Sequence, residues 1–496
     1  MLRKNHFIMS FVLCYLLLIS LSSDAQEAKD QIRLSLQDCI SLALKSNLDI
    51  NIQRINPQIR DALLTSAKGD FDPSLSFGPR IYRSNDPSYP ESGRGNGQDL
   101  AIAFSDPIIT GGEYGISFNT SRFDRSSPGA SINPSYGTGL TFSITQPLLK
   151  GFGVDVNKSY IYIAKNNKDI SISLLKWQLI RTLTNVQNSY WELFFALENM
   201  KVQELALKQA QDLLNINKRF REEGKATPSD VLQAQSAVAS READVITAVD
   251  LVKDSEEELK RIINVVQDES QWELPIVLVD TPSFDETEIN FRDGIDAAMK
   301  NHPEYLQAKL ELQNSDIYLK LAKSQRLPTL DLQGSLSLDG YGDSGDAFSQ
   351  VGKAEYNSWT AALALRFPLG GRMSKAGELK SRLEKEQNLL NLTNIEQQIT
   401  REVRSSIRQL ETAKKRIEAT ASAEEFAKQV LATEEKKYAV GLSTSYQLLQ
   451  LQADQAIATK NHLRAIIDYQ KAITNLYQSL GMTLDKLNIK VENERR

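Results

Sequence analysis

The chain has 496 residues, 41% hydrophobic, 24% charged and 7% aromatic, which is enough apolar matter to bury a core and too much for a chain disordered by composition. A formal net charge of −5 excludes a nucleic-acid binder held by bulk positive charge. Two cysteines, Cys14 and Cys39, and three histidines, His6, His302 and His462, form no CxxC and no His pair at helical spacing, so no metal, cofactor or catalytic centre is expected.

Arg3 and Lys4 precede a mostly apolar run from Phe7 to Leu21, and Ser23-Asp24-Ala25 follows as a small-x-small cleavage signature. Residues 1–25 are therefore expected to be an export signal. Its removal would leave Cys39 alone, as a small core residue rather than half of a disulfide. No later stretch reaches ~18 consecutive apolar residues. An exported chain of this kind is either soluble or crosses a membrane as strands.

Helices are expected over 34–70. Strands follow over 72–147, where Leu75, Phe77 and Ile81 alternate with Ser74, Ser76 and Arg80. The same period of two runs through Leu100, Ile102 and Phe104, through Tyr114, Ile116 and Phe118, and through Leu140, Phe142 and Ile144. One face is apolar and the other small or polar, which fits a barrel wall with lipid outside and water inside, and equally a soluble sandwich. Segments 84–97 and 122–136, rich in Gly, Ser, Asn, Asp and Pro, read as exposed loops.

Two proline-poor helices are expected over 155–222 and 228–266. The second carries a row at unbroken sevenfold spacing, Val231, Val238, Val245, Val252, Leu259 and Val266, the mark of helices wound left-handedly around one another. A linker, 268–290, leads to helices over 291–326 and strands over 328–368, with a loop at 339–357. Long helices over 373–438 and 444–482 and a charged tail, 484–496, complete the chain. All 15 prolines lie at or before Pro368, as long helices require.

These elements form a tandem duplication. Ile40, Ala43, Lys45, Lys68, Pro73 and Leu75 recur as Ile295, Ala298, Lys300, Lys323, Pro328 and Leu330, at a constant offset of 255. Gly224, Leu232 and Gln235 recur as Gly441, Leu449 and Gln452, at an offset of 217. The first repeat, 26–267, therefore carries ~34 residues more in its strand region than the second, 291–483. That is room for one added hairpin near 98–121, placed outside the cell, as a plug, or in the wall.

Leu36-Gln37-Asp38 through Asn47, with its second copy ending in Asn301-His302-Pro303, resembles the opening helix of the TolC-like outer-membrane efflux and secretion channel family. The crossings at Thr145-Gln146-Pro147 through Gly153 and at Phe367-Pro368-Leu369-Gly370-Gly371 resemble that family's strand-to-helix junctions. Arg219-Phe220 to Gly224, continuing through Thr227 to Leu232, and Tyr438 to Gly441 resemble its two hairpin tips. The resemblance covers roughly 33–483. It implies a mainly α fold with a transmembrane β part: two tandem repeats, long coiled-coil hairpins forming a periplasmic tunnel, and four strands per copy in a trimeric 12-strand outer-membrane barrel.

The implied function is the outer-membrane exit channel of a tripartite efflux pump or a type I secretion system. The implied partners are two further copies of the chain, outer-membrane lipid, a periplasmic adaptor and an inner-membrane pump, with no nucleic acid. By position relative to the turn glycines, Asp230 and Tyr438 match family gate residues, and Gln447 and Gln450 stand where the family has carboxylates. Gly224, Lys225, Thr227, Ser229, Gly441, Leu442, Ser443 and Ser445 are the implied tip contacts for the adaptor. For Asp230 a first-turn carboxylate favoured by the helix dipole is an equal alternative. The competing reading of the whole chain is a secreted periplasmic coiled-coil adaptor or scaffold with a small β domain.

Overall fold

A computed structural model describes residues 31–85, 94–126, 131–265, 272–283 and 290–491. The expected export signal lies outside these residues, as do parts of the 268–290 linker and of the C-terminal tail. The strands are β1 Ile32–Leu34, β2 Ser74–Asn85, β3 Arg94–Pro107, β4 Glu113–Arg125, β5 Ser135–Pro147, β6 Ile276–Leu278, β7 Thr329–Gly342 and β8 Tyr356–Arg366. The helices of the first repeat are α1 Leu36–Ser46, α2 Leu48–Lys68, α3 Val154–Asn157, α4 Ser159–Glu222 and α5 Pro228–Ile263. Those of the second are α6 Phe291–Asn301, α7 Pro303–Gln325, α8 Ser344–Gly352, α9 Arg372–Ala439, α10 Ser445–Ser479 and α11 Thr483–Lys486. At 64 and 68 residues, α4 and α9 are each about 100 Å long.

The chain divides into two units, one of residues 1–55, 173–305 and 396–496, the other of residues 56–172 and 306–395. The duplication is visible in how helices start and stop. Asn47 ends α1 in extended backbone, its Nδ2 donating to the Ile262 carbonyl at 2.8 Å while its Oδ1 accepts the Ile50 N–H at 3.0 Å. At the equivalent site, 255 residues on, His302 is extended between α6 and α7 because Pro303 follows it. The long helices likewise end on left-handed residues at equivalent sites, Asn264 after α5 and Gly481 after α10. A side chain at Gly481 would sit 2.9 Å from the Asn301 carbonyl, so only glycine fits there.

The core of the first unit joins α1, α4, α5 and the linker. Leu183, Val186, Tyr190 and Leu193 pack with Cys39, Ile40, Ala43, Leu259, Ile263 and Ile276, all buried. β6, in the linker, pairs in parallel with β1. The Tyr190 hydroxyl accepts the Asp280 N–H at 3.1 Å and donates to its carboxylate at 3.2 Å, while the buried Lys260 ammonium donates to the Trp272 and Leu274 carbonyls at 2.6 and 2.7 Å. Burial pushes the Tyr190 phenol and the Cys39 thiol each up to about 12. The sevenfold row of α5 falls on its inner side, with Val231, Val252 and Leu259 buried and Val238 and Val245 half-buried.

The second unit holds an antiparallel meander in the order β2-β3-β4-β5-β7-β8. Six strands replace the four implied by the resemblance, so twelve strands do not follow from three copies of this chain. The loops expected at 84–97 and 122–136 are shorter than expected, because β3 begins at Arg94 and β4 runs to Arg125; their Gly, Asn and Asp residues pair in the sheet. The loop expected at 339–357 contains α8, capped by the Asp343 carboxylate on the Asp346 N–H at 2.9 Å. That helix packs over β7 where Gly340 leaves space: a Cβ at Gly340 would lie 2.1 Å from the Ala347 carbonyl.

Candidate functional site

Two places in the fold hold the residues singled out above: the helix-hairpin tips of the first unit and the six-stranded sheet of the second. Each tip begins where a long helix closes on a glycine. Gly224 (φ 72°) and Gly441 (φ 78°) are left-handed, the conformation that ends a helix at lowest cost when no side chain is present. The Lys225 N–H returns to the Phe220 carbonyl at 2.7 Å, and the Leu442 N–H to the Lys437 carbonyl at 2.9 Å, so the two turns repeat one geometry.

The helix after each turn opens on a threonine. Thr227 Oγ1 accepts the Asp230 N–H at 3.2 Å, and the Asp230 carboxylate accepts the Thr227 N–H and hydroxyl at 2.8 and 2.7 Å, a reciprocal capping box. Among the described residues, the Asp230 carboxylate bonds within this cap. In the second tip Thr444 Oγ1 accepts the Gln447 N–H at 3.2 Å, without the return contact found in the first. Gln447 and Gln450 are exposed, the latter donating to Asp454 at 2.9 Å.

The two hairpins meet at a residue the sequence analysis missed. Asn217, fully buried on α4, accepts the Tyr438 hydroxyl at 2.5 Å and donates to Ser445 Oγ at 2.6 Å and to the Asp230 carbonyl at 3.3 Å. One amide thus touches α5, α9 and α10. Tyr438 also stands 6.3 Å from the Phe220 ring and packs on the apolar group Leu213, Leu431 and Leu448. Burial raises its phenol, the Asp230 charge adds to this, and the Ser445 hydroxyl opposes it.

The residue 217 positions after Asn217 is Glu434, also buried. Its carboxylate accepts Ser443 Oγ at 2.6 Å and Lys437 Nζ at 3.0 Å, and those two bonds, Ser443 first, hold it below the usual carboxylate range. The offset that relates the tips could have marked both residues as polar positions on an inward stripe. Of the other tip residues, Gly224, Lys225, Thr227, Ser229, Gly441 and Leu442 are exposed, Ser443 is half-buried and Ser445 is buried. Leu442 is 77% exposed, in company with Val440, Tyr446 and Leu232.

The sheet sorts its side chains into rows. Through the strand registers, Leu75 faces Phe104, which faces Ile116, then Phe142, Leu336 and Trp359. One residue along lies the row Ser74, Ser105, Gly115, Ser143, Ser335 and Thr360. Because alternate residues of a strand point to opposite faces, one face of all six strands is large and apolar and the other small and polar. This is the two-faced pattern of a wall between lipid and water.

The outer membrane efflux protein family matches residues 113–265 and 294–482, more than half of the chain. The chain belongs to that family. It is a family of outer-membrane efflux channels, which places this protein in the outer membrane. The fold is also that of solved channels at low identity. The VceC outer membrane protein of Vibrio cholerae aligns at 14% identity with a TM-score of 0.66, over 90% of this chain and 96% of that one. The CmeC outer membrane channel of Campylobacter jejuni aligns at 15% with a TM-score of 0.65, over 93% and 90%. The open state of the MtrE outer membrane channel of Neisseria gonorrhoeae aligns at 18% with a TM-score of 0.64, over 90% and 89%. No curated protein matches the chain.

Proposed function

We propose that this efflux-family protein is the exit duct of a tripartite efflux pump. In this reading three copies form the channel, a periplasmic adaptor grips the hairpin tips, and an inner-membrane pump loads small molecules that leave through the barrel. The observation that carries the reading is the six-membered apolar row backed by a six-membered row of small polar residues. A single copy leaves both edges of that sheet open, and open edges are not tolerated in hydrocarbon, so the chain needs copies of itself.

The tips supply the gate. The Asn217 amide holds Tyr438 and Ser445, so parting the two hairpins exposes three polar groups that satisfy one another when the tips are closed. Asp230 acts through its cap rather than as a free carboxylate. The exposed Val440, Leu442 and Tyr446 offer the adaptor an apolar contact at the second tip, and Lys225 and Ser229 a polar one at the first.

The test is extraction and loss of function. The protein should leave membranes only with detergent, run as a heat-sensitive trimer on gels, and, when deleted, sensitise cells to small toxic compounds. Unchanged sensitivity together with disappearance of a protein from the medium would replace efflux by type I secretion. A water-soluble monomer would end the channel reading.

A further inference from the structure

The first repeat contributes four strands and the second two, and the surplus pair, β3 and β4, lies in the middle of the sheet rather than folded away from it. Its side chains keep the sorting of the other strands: Ile102, Phe104, Ile116 and Phe118 continue the apolar face, and Ala103, Ser105, Gly115 and Ser117 the small one. A plug lying in the lumen would have no reason to carry lipid-facing residues in register with its neighbours.

The turn between β3 and β4 is built into the strand-to-helix crossing. Gly153 N–H donates to the Thr110 carbonyl at 3.0 Å, and Thr110 Oγ1 donates to Gln146 Oε1 at 2.7 Å. Gly111, left-handed at φ 94°, comes so close to the crossing that a Cβ would lie 2.3 Å from the Gly151 carbonyl. The hairpin is therefore anchored at the foot of the sheet, beside the strand that leads into α3 and α4.

The sheet has two unpaired edges among the described residues, β2 and β8. Leu75 and Trp359 on these edges are 75% and 76% exposed, against 38% and 40% for Ile116 and Phe142 inside the sheet. The strands alternate in direction from β2 to β8, and an even number of them leaves the two edges running oppositely. The β8 edge of one copy can thus take the β2 edge of a second copy with ordinary antiparallel bonding.

Resting on the trimer proposed above, we infer that each copy gives all six strands to one wall of eighteen, closed by β8 of each copy against β2 of the next. Barrel diameter grows about linearly with strand number at a given tilt, so this wall is about half as wide again as one of twelve strands. Its inner face carries rows of Ser, Thr, Gly and Ala, and on the same face Glu113, Asp339 and the facing pair Arg80 and Asp99. A wall this wide leaves selection by size to the tips and the pump.

Two cysteine experiments on the full-length protein in membranes test this. The first places a bimane label at Ile116→Cys in β4 and at Phe142→Cys in β5 and measures quenching by brominated lipid. Equal quenching is expected, with Ser117→Cys and Ser143→Cys unquenched and open to a membrane-impermeant maleimide. A quenched Phe142→Cys label beside an unquenched Ile116→Cys label overturns the inference. The second combines Ser76→Cys with Ser358→Cys, Thr360→Cys or Ala362→Cys, which covers the neighbouring registers. At least one pair should give a disulfide-linked trimer on non-reducing gels.

No such band while amine cross-linking still traps trimers through the helical part overturns the six-strand closure and leaves the trimeric channel standing. No trimer by either route overturns both.

Discussion

The two hairpin tips share a turn, a glycine and a capping threonine, yet they are held by different chemistry. The first centres on Asn217, a neutral amide that reaches three other helices. The second centres on Glu434, a carboxylate that stays within its own hairpin, bonded to Ser443 and Lys437. Duplication set the backbone of both tips. Divergence at one equivalent position then made one residue the link between hairpins and left the other as a local brace. The polar position was kept while its reach was changed.

The largest effect should come from breaking the link. Asn217→Leu takes the amide partner from the half-buried Tyr438 hydroxyl and the buried Ser445 hydroxyl, leaving them only each other, and should cost about 1–3 kcal/mol. The tips should exchange amide hydrogens faster, and channels in planar bilayers should conduct more; unaltered exchange would remove Asn217 from the gate. Tyr438→Phe deletes one of the same bonds and should cost about 1 kcal/mol, with a smaller rise in conductance.

The caps sharpen the contrast further. Asp230→Ala removes a reciprocal box and should cost about 1 kcal/mol at the first tip. Gln447→Ala removes a side chain with no return bond to Thr444 and should cost a few tenths of a kcal/mol. Hydrogen exchange at residues 228–232 against 445–449 reads the difference, and equal losses would mean that the capping asymmetry has no energetic weight.

The smallest effect is the pH dependence of the second tip. Glu434 is held below its ordinary value, so its bonds stabilise the folded tip fully above the usual carboxylate pKa of 4.5 and lose that contribution as pH falls through the lowered value. A spin label at Leu442→Cys should gain mobility below about pH 4.5, and Glu434→Gln should abolish the change.

Much of this architecture was legible in the residues. Period-two alternation marked all six sheet strands, the sevenfold row marked the buried side of α5, and two constant offsets exposed the duplication. What the residues did not show was partnership. Alternation in Leu100–Phe104 and Tyr114–Phe118 is the same whether the strands form a wall, a plug or an outer loop, because it reports a strand's two faces and not its neighbours. The length of β3 was hidden because Gly95, Asn96 and Gly97 look like turn residues, although Gly97 is in the sheet with Tyr82 packed where its side chain would be. α8 was hidden by its own composition of Ser, Gly and Asp. Asn217 was passed over because a polar residue on a long helix is ordinarily solvated, and its burial depends on a second hairpin far away in sequence.

The even count of strands has a consequence for how such a pore changes size. One extra strand per copy would make the two borders of the sheet run the same way, forcing a parallel seam at every junction between neighbours. Growth by a whole hairpin avoids this. The circumference of a three-copy ring therefore enlarges in steps of six strands, and the closure inferred above would set this chain one step beyond a ring of twelve.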